Sequence, residues 1–144
     1  MKPNQNHIFI DTNIIIGAYI NQKKFIQEKQ CWNYLTSLTG KKIYVSSLSI
    51  AQFVSTLQHH KLNKTTIKND VRNIIAKANI INFTKEDINK SLSMQENDLE
   101  DNIQYVLAKK LKCGIFFTQN KKHYKDYFDI NIHTAFEYMY IKQY

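Results

Sequence analysis

Three aspartates stand where side chains of their type could do chemistry. Asp11 closes a short apolar run, Ile8, Phe9 and Ile10, and is followed by Thr12, Asn13 and more apolar sequence. Asp98 and Asp101 lie three apart at the start of a helical segment, so both project from roughly the same face. Carboxylates brought close repel one another unless a positive charge sits between them. Hard oxygen ligands of this kind suit Mg2+ or Mn2+, ions that keep several waters and engage a substrate phosphate. Such a site can activate a water and stabilise charge on a phosphodiester during in-line displacement. A plainer role competes with this one. Each acid can cap a helix, stabilising by about 0.5–1 kcal/mol, and from periodicity alone capping stands ahead for Asp98-x-x-Asp101. The presence of a polar loop, "TQN" from Thr118 to Asn120, shifts the balance toward a site.

The elements that must position these residues follow from hydrophobic periodicity. Residues 7–10 read as a strand and 13–20 and 24–39 as helices, the second ending at Gly40. "KIYVSS" is a second strand, "LSIAQFVSTLQHH" a helix, 64–78 another helix, and "NIINF" a third strand. "TKEDINKSLSM" opens on Thr84-x-x-Asp87, a capping-box spacing. "DLEDNIQYVLAKKLK" is a helix with Gly114 as its stop, "GIFFT" the fourth strand, Ile130–Ile132 a short strand, and Thr134–Tyr140 a final helix. Strands alternating with helices predict a parallel α/β sandwich with helices on both faces. In such sheets ligands bind beyond the carboxyl ends of the strands, where strand order reverses. Asp11 lies at one such end, Ser46 and Ser47 at a second, and Thr118 to Asn120 at a third.

With 20 Lys and Arg against 12 Asp and Glu, the formal net charge is +8 and the pI about 9.4. That balance favours a polyanionic partner, most simply nucleic acid bound through its phosphates. "KKLK", "NKKHYKDY" and "KLNKTTIK" mix lysine with aromatic or polar residues, as RNA backbone contacts with some stacking require. Each alone also reads as a solvated face. The 144 residues are expected to form one domain, 1–144, with no repeat and no linker. No window approaches the roughly 18 apolar residues of a membrane span, and "MKPNQNH" is not a signal peptide, so a cytoplasmic location without membrane contact is expected. Cys31 and Cys113 sit in apolar segments without zinc-type spacing and are expected to be buried thiols.

Taken together, "HIFIDTNIIIG", "VSSLSIAQFV", "DLEDNIQYVLAKKLKCGIFFTQNKKHY" and "DINIHTAFEY" resemble a PIN domain, nearest the bacterial group that includes VapC-like toxins of toxin–antitoxin pairs. The resemblance spans nearly the whole chain, and its most specific part is DxxDxxQYxxAxxxxxxxxxTxNxxxY. It implies a PIN-like three-layer sandwich with a central parallel sheet of about four to five strands. It also implies an acidic cavity and a metal-dependent endoribonuclease activity. Asp11, Asp98 and Asp101 match the family's catalytic, metal-binding acids. Asn13, Thr118 and Asn120 match polar positions that orient the ligating carboxylates or waters, a support that metal sites need. Ser47, Gln52 and His123 complete the supporting set. An antitoxin protein that occupies the cavity and a homodimer are also implied.

Two departures bear on activity. The family usually carries glutamate where Gln52 stands and aspartate where His123 stands. Ser49-x-x-Gln52 also fits a capping box, which accounts for Gln52 equally well. Asp126, three residues past His123, is read as a solvated acid ahead of a substitute ligand. Fewer carboxylates imply weaker metal binding, a preference for Mn2+ and low turnover. A second function therefore competes: a PIN-like module that binds RNA or a protein partner without cleaving. Structure-specific DNA cleavage is a weaker third. Tyr124 and Tyr127 are expected to flank the cavity, with plain packing as the alternative, and Phe136, Met139 and Tyr140 to form a core or dimer stripe.

Overall fold

The computed structural model describes residues 2–94, 98–124 and 129–143; Asp126 and Tyr127 lie outside the described residues. Its strands are β1 (Asn4–Ile10), β2 (Lys42–Ser46), β3 (Asn79–Ile81), β4 (Cys113–Phe117) and β5 (Asn131–His133). The helices are α1 (Thr12–Tyr19), α2 (Ile26–Ser37), α3 (Ser47–His59), α4 (Lys64–Lys77), α5 (Lys85–Leu92), α6 (Leu99–Lys110) and α7 (Ala135–Gln143). Short 3-10 turns cover Lys23–Phe25 and Lys121–Tyr124.

All strand pairs are parallel, in the order β3-β2-β1-β4-β5. β1 is central because its last three residues are buried on both faces, as a near-continuous apolar run demands. Side-chain alternation divides them. Ile8 and Ile10 pack with Val45 and Phe117 against α1, α2, α3, α4 and α7, whereas Phe9 packs with Phe116 against α5 and α6. Helices on both faces of one sheet make the expected three-layer α/β sandwich, with five strands. The chain leaves β1 toward β2 and β3 on one side and returns to place β4 on the other. Strand order thus reverses between β1 and β4, and the Asp11 N–H still donates to the Phe117 carbonyl at 2.9 Å there. The cleft that this reversal opens lies at Asp11 and Thr118.

Local chemistry explains most boundaries. Thr84 and Asp87 form the predicted capping box: Asp87 Oδ2 accepts from the Thr84 N–H at 2.8 Å, and Thr84 Oγ1 accepts from the Asp87 N–H at 3.3 Å. Gly17 lets α1 lie on α2, since a Cβ there would sit 2.7 Å from Glu28 Cγ. Two expectations need correcting. α6 ends at Lys110, and Lys112 takes the left-handed turn at φ 55°, while Gly114 lies inside β4, where a side chain would strike the Asn4 carbonyl. α3 is capped by Ser46, whose Oγ accepts from the Ser49 N–H at 3.0 Å, so Ser49 and Gln52 form no capping box. Of the expected α7 stripe, Met139 packs on the core, but Phe136 and Tyr140 are exposed and stack on each other. Cys31 and Cys113 are buried free thiols, as expected. No helix among the described residues is long and apolar enough to cross a membrane.

Candidate active site

β1 delivers Asp11 to the cleft with only 4% of its surface exposed. Its carboxylate is held from several sides. Oδ1 accepts from the Thr12 N–H at 2.8 Å, which caps α1, and from Gln104 Nε2 at 3.3 Å. Oδ2 accepts from Thr118 Oγ1 at 2.8 Å, with Asn13 Nδ2 at 3.5 Å. Burial nevertheless pushes the Asp11 carboxyl up to about 6; the Thr118 and Thr12 hydrogen bonds oppose this, and the charge of Asp101 adds to it. No lysine or arginine among the described residues forms an ion pair with Asp11.

The first turn of α6 supplies the facing acids. Asp98 is the N-cap, its Oδ1 accepting from the Glu100 N–H at 2.8 Å. Asp101, one turn further along, lies 2.8 Å through Oδ2 from His123 Nδ1. Thus Asp11 and Asp98 do cap helices as the plainer reading holds, and both still border one cavity. That cavity measures about 330 Å³ and is lined by four carboxylates, Asp11, Asp98, Glu100 and Asp101. Asn13, Gln52, Gln104, Asn120 and His123 share the lining, and no lysine or arginine among the described residues does. In a chain of formal charge +8, acids therefore collect in one place.

The supporting residues divide. Asn13 Oδ1 accepts from the Gln119 N–H at 3.0 Å and pins the loop after β4 to α1. Thr118, fully buried, holds Asp11 and accepts from the Asn120 N–H at 3.0 Å. Gln52 Oε1 accepts from Thr12 Oγ1 at 2.6 Å. Ser47 is half-buried and does not line the cavity; the serines that matter are Ser46 and Ser49, both fully buried. Tyr124 is buried in the packing of α6, its ring 4.8 Å from Phe116. Residues that sequence reasoning passed over are Thr12, Ser49, Glu100 and Gln104. Gln104 Nε2 donates to Ser49 Oγ at 2.6 Å as well as to Asp11, while its Oε1 is buried without a hydrogen-bond partner among the described residues. The available signal was its spacing: it follows Asp101 by three residues and Asp98 by six, on one helix face.

The donor set tests whether a hard divalent cation fits. Oxygen donors dominate, and the charge of Asp101 adds to the cost of charging buried Asp11, a cost that a cation would offset. Among the described residues no three His, Cys, Asp or Glu side chains are close enough to form a ready-made metal cage. Mg2+-type ions do not need one, because they bind through one or two carboxylates and keep the rest of their water. The residues fit.

A family model described as "PIN domain" matches residues 7–122. Among curated proteins, the chain is 26% identical over 142 residues to Ribonuclease VapC1 of Aquifex aeolicus (strain VF5), covering 94% of each. Among solved structures, a toxin–antitoxin complex from Klebsiella pneumoniae matches with a TM-score of 0.67 at 18% identity, covering 89% of this chain and 97% of that one. Mycobacterium tuberculosis VapC20, described as a sarcin-ricin loop cleaving toxin, matches with a TM-score of 0.59 at 11% identity over 76% of this chain and 86% of that one. At these identities the structural likenesses establish the fold.

Proposed function

This chain belongs to the PIN domain family, and we propose that it is an endoribonuclease that hydrolyses RNA phosphodiesters with one divalent cation, Mg2+ or Mn2+. The observation that carries the reading is the buried Asp11 carboxylate, facing Asp101 across a cavity with four acids and, among the described residues, no lysine or arginine. Asp11, Asp98 and Asp101 are the residues that would hold the ion, directly or through its water. When bound, it supplies an acidified water as nucleophile and offsets charge on the phosphodiester. Thr118, the Thr12 N–H and Gln104 fix the Asp11 carboxylate so that its oxygens do not rotate away. His123 fixes Asp101 in the same way, Asn13 holds the loop after β4 against α1, and the Asn120 N–H holds the Thr118 hydroxyl. The positive balance of the chain draws the RNA backbone.

The curated relative is named a ribonuclease, and one structural neighbour is a toxin–antitoxin complex. These names support extending the reading to the toxin of such a pair, with an antitoxin protein as its partner. We extend it also to a single domain over 1–144, a homodimer and a cytoplasmic location. A second reading, an RNA- or protein-binding module that does not cleave, is favoured by one observation: Gln52 brings no charge and His123 engages Asp101.

Incubating mixed RNA with Mn2+ separates the two. Cleavage by the wild type that is lost in Asp11→Asn and in Asp101→Asn supports the enzyme. RNA bound but left intact by the wild type supports the module.

A further inference from the structure

We propose that Glu100 is a further carboxylate of this metal site, presenting its charge to the cation's water shell from the first turn of α6. The proposal rests on the metal-site reading above and adds to it a residue outside the three aspartates. A one-way chain of hydrogen-bond donors ends on Glu100. Ser46 Oγ donates to Ser49 Oγ at 3.1 Å, and Gln104 Nε2 donates to the same oxygen at 2.6 Å. Ser49 Oγ lies 2.7 Å from Thr12 Oγ1, whose single proton goes to Gln52 Oε1. The Ser49 proton is therefore the one between Ser49 and Thr12. The acceptor end of the Gln52 amide is taken by Thr12, so its Nε2 points outward, and it donates to Glu100 Oε2.

The chain begins at fully buried Ser46 and Ser49 and runs outward to an exposed carboxylate on the cavity wall. Bonds aligned in one sense polarise one another, and an anion is the acceptor that best terminates them. Asp98, by contrast, spends Oδ1 on capping α6. A second observation points to a ligand in the same cavity. Gln104, 2% exposed, holds Oε1 without a hydrogen-bond partner among the described residues, and buried acceptors of this sort are met by bound solvent or ligand. Gln52 adds no charge of its own; it fixes the place where Glu100 adds one.

The test is Mn2+ affinity of the full chain, read by calorimetry and by the paramagnetic signal of free Mn2+, with thermal melts to confirm folding. Glu100→Gln keeps an acceptor for Gln52 and removes only the charge, and is expected to weaken Mn2+ roughly five- to tenfold. Exchanging the pair, Gln52→Glu with Glu100→Gln, returns the charge to the same cavity wall and is expected to restore affinity to within about twofold. Glu86→Gln removes an equal charge from a solvent-exposed pair with Lys90 and controls for net charge. If Glu100→Gln binds Mn2+ like the wild type while Asp11→Asn does not bind, Glu100 is only a surface acid and the proposal is wrong. If Asp11→Asn also binds like the wild type, the metal-site reading itself has failed and this proposal fails with it.

Discussion

Replacing Asp11 with asparagine is expected to make the metal-free protein more stable at neutral pH. Asp11 is buried, and its carboxyl is pushed from 3.8 to about 6, chiefly by loss of solvent and secondarily by the charge of Asp101. A carboxyl that binds its proton more tightly folded than unfolded favours the native state below pH 3.8. That contribution is lost as pH rises to about 6. The displacement corresponds to a native state weakened by on the order of 3 kcal/mol above pH 7. The asparagine side chain carries no charge, so it escapes this penalty. It keeps one oxygen for the Thr12 N–H or the Thr118 hydroxyl but turns an N–H toward a donor, which costs about 1–2 kcal/mol.

The net gain is about 1–2 kcal/mol, or roughly 2–8 °C in Tm for a chain of this size. The assay is a set of melts of both proteins in chelator from pH 4 to pH 8. The variant's advantage should grow across pH 4–6 and then level off. Adding Mn2+ should stabilise the wild type alone, by about 2.7 kcal/mol at a hundredfold excess over Kd. A variant less stable than wild type at pH 8, or a difference that does not change with pH, would refute the reasoning.

Thr118→Val keeps the shape of the side chain but removes the hydroxyl that donates to Asp11 at 2.8 Å. A hydrogen bond to a charged group contributes about 1.5–3 kcal/mol, so Asp11 should hold its proton to roughly one pH unit higher or more. Titrating Mn2+ affinity against pH should show its midpoint moving up by that amount; an unmoved midpoint excludes the role given to Thr118. Gly17→Ala should destabilise by about 1–3 kcal/mol, measured by denaturant unfolding, because the new Cβ meets Glu28 Cγ at 2.7 Å in a packed interface.

Local signals made most of the fold readable. The run Ile8–Ile10 is buried on both faces, and the alternation of such runs with helical periodicity left few topologies besides a parallel sheet. Asp11 was conspicuous because an acid at the end of a buried strand is costly to desolvate unless it meets a ligand or a helix cap. What stayed hidden depends on partners distant in sequence. Glu100 carries no signal in the sequence, because its hydrogen-bond partner is Gln52, 48 residues away. Ser46 and Ser47 both stand at the end of β2 in the sequence, and only the packing shows that Ser46 and Ser49, rather than Ser47, are the buried pair beside Thr12 and Gln104. Gly114 drew the helix stop to itself, although Lys112 accepts the left-handed turn and the glycine is needed where β4 meets Asn4.

Charge placement links these local features to substrate handling. A chain of net charge +8 attracts a phosphate backbone over its surface, yet its cavity holds four carboxylates and, among the described residues, no lysine or arginine to meet that backbone. Phosphate and carboxylate repel at the short range where hydrolysis must happen, and burial strengthens the repulsion. On the proposed reading, the surface recruits RNA, and a cation in the cavity would reverse the local sign for an entering phosphodiester. The same reading accounts for Asp11 at a strand end with its carboxyl displaced upward. An acid kept unstable by burial would gain from a divalent ion held by Asp11 and its neighbours, which would supply the positive charge that the cavity lacks.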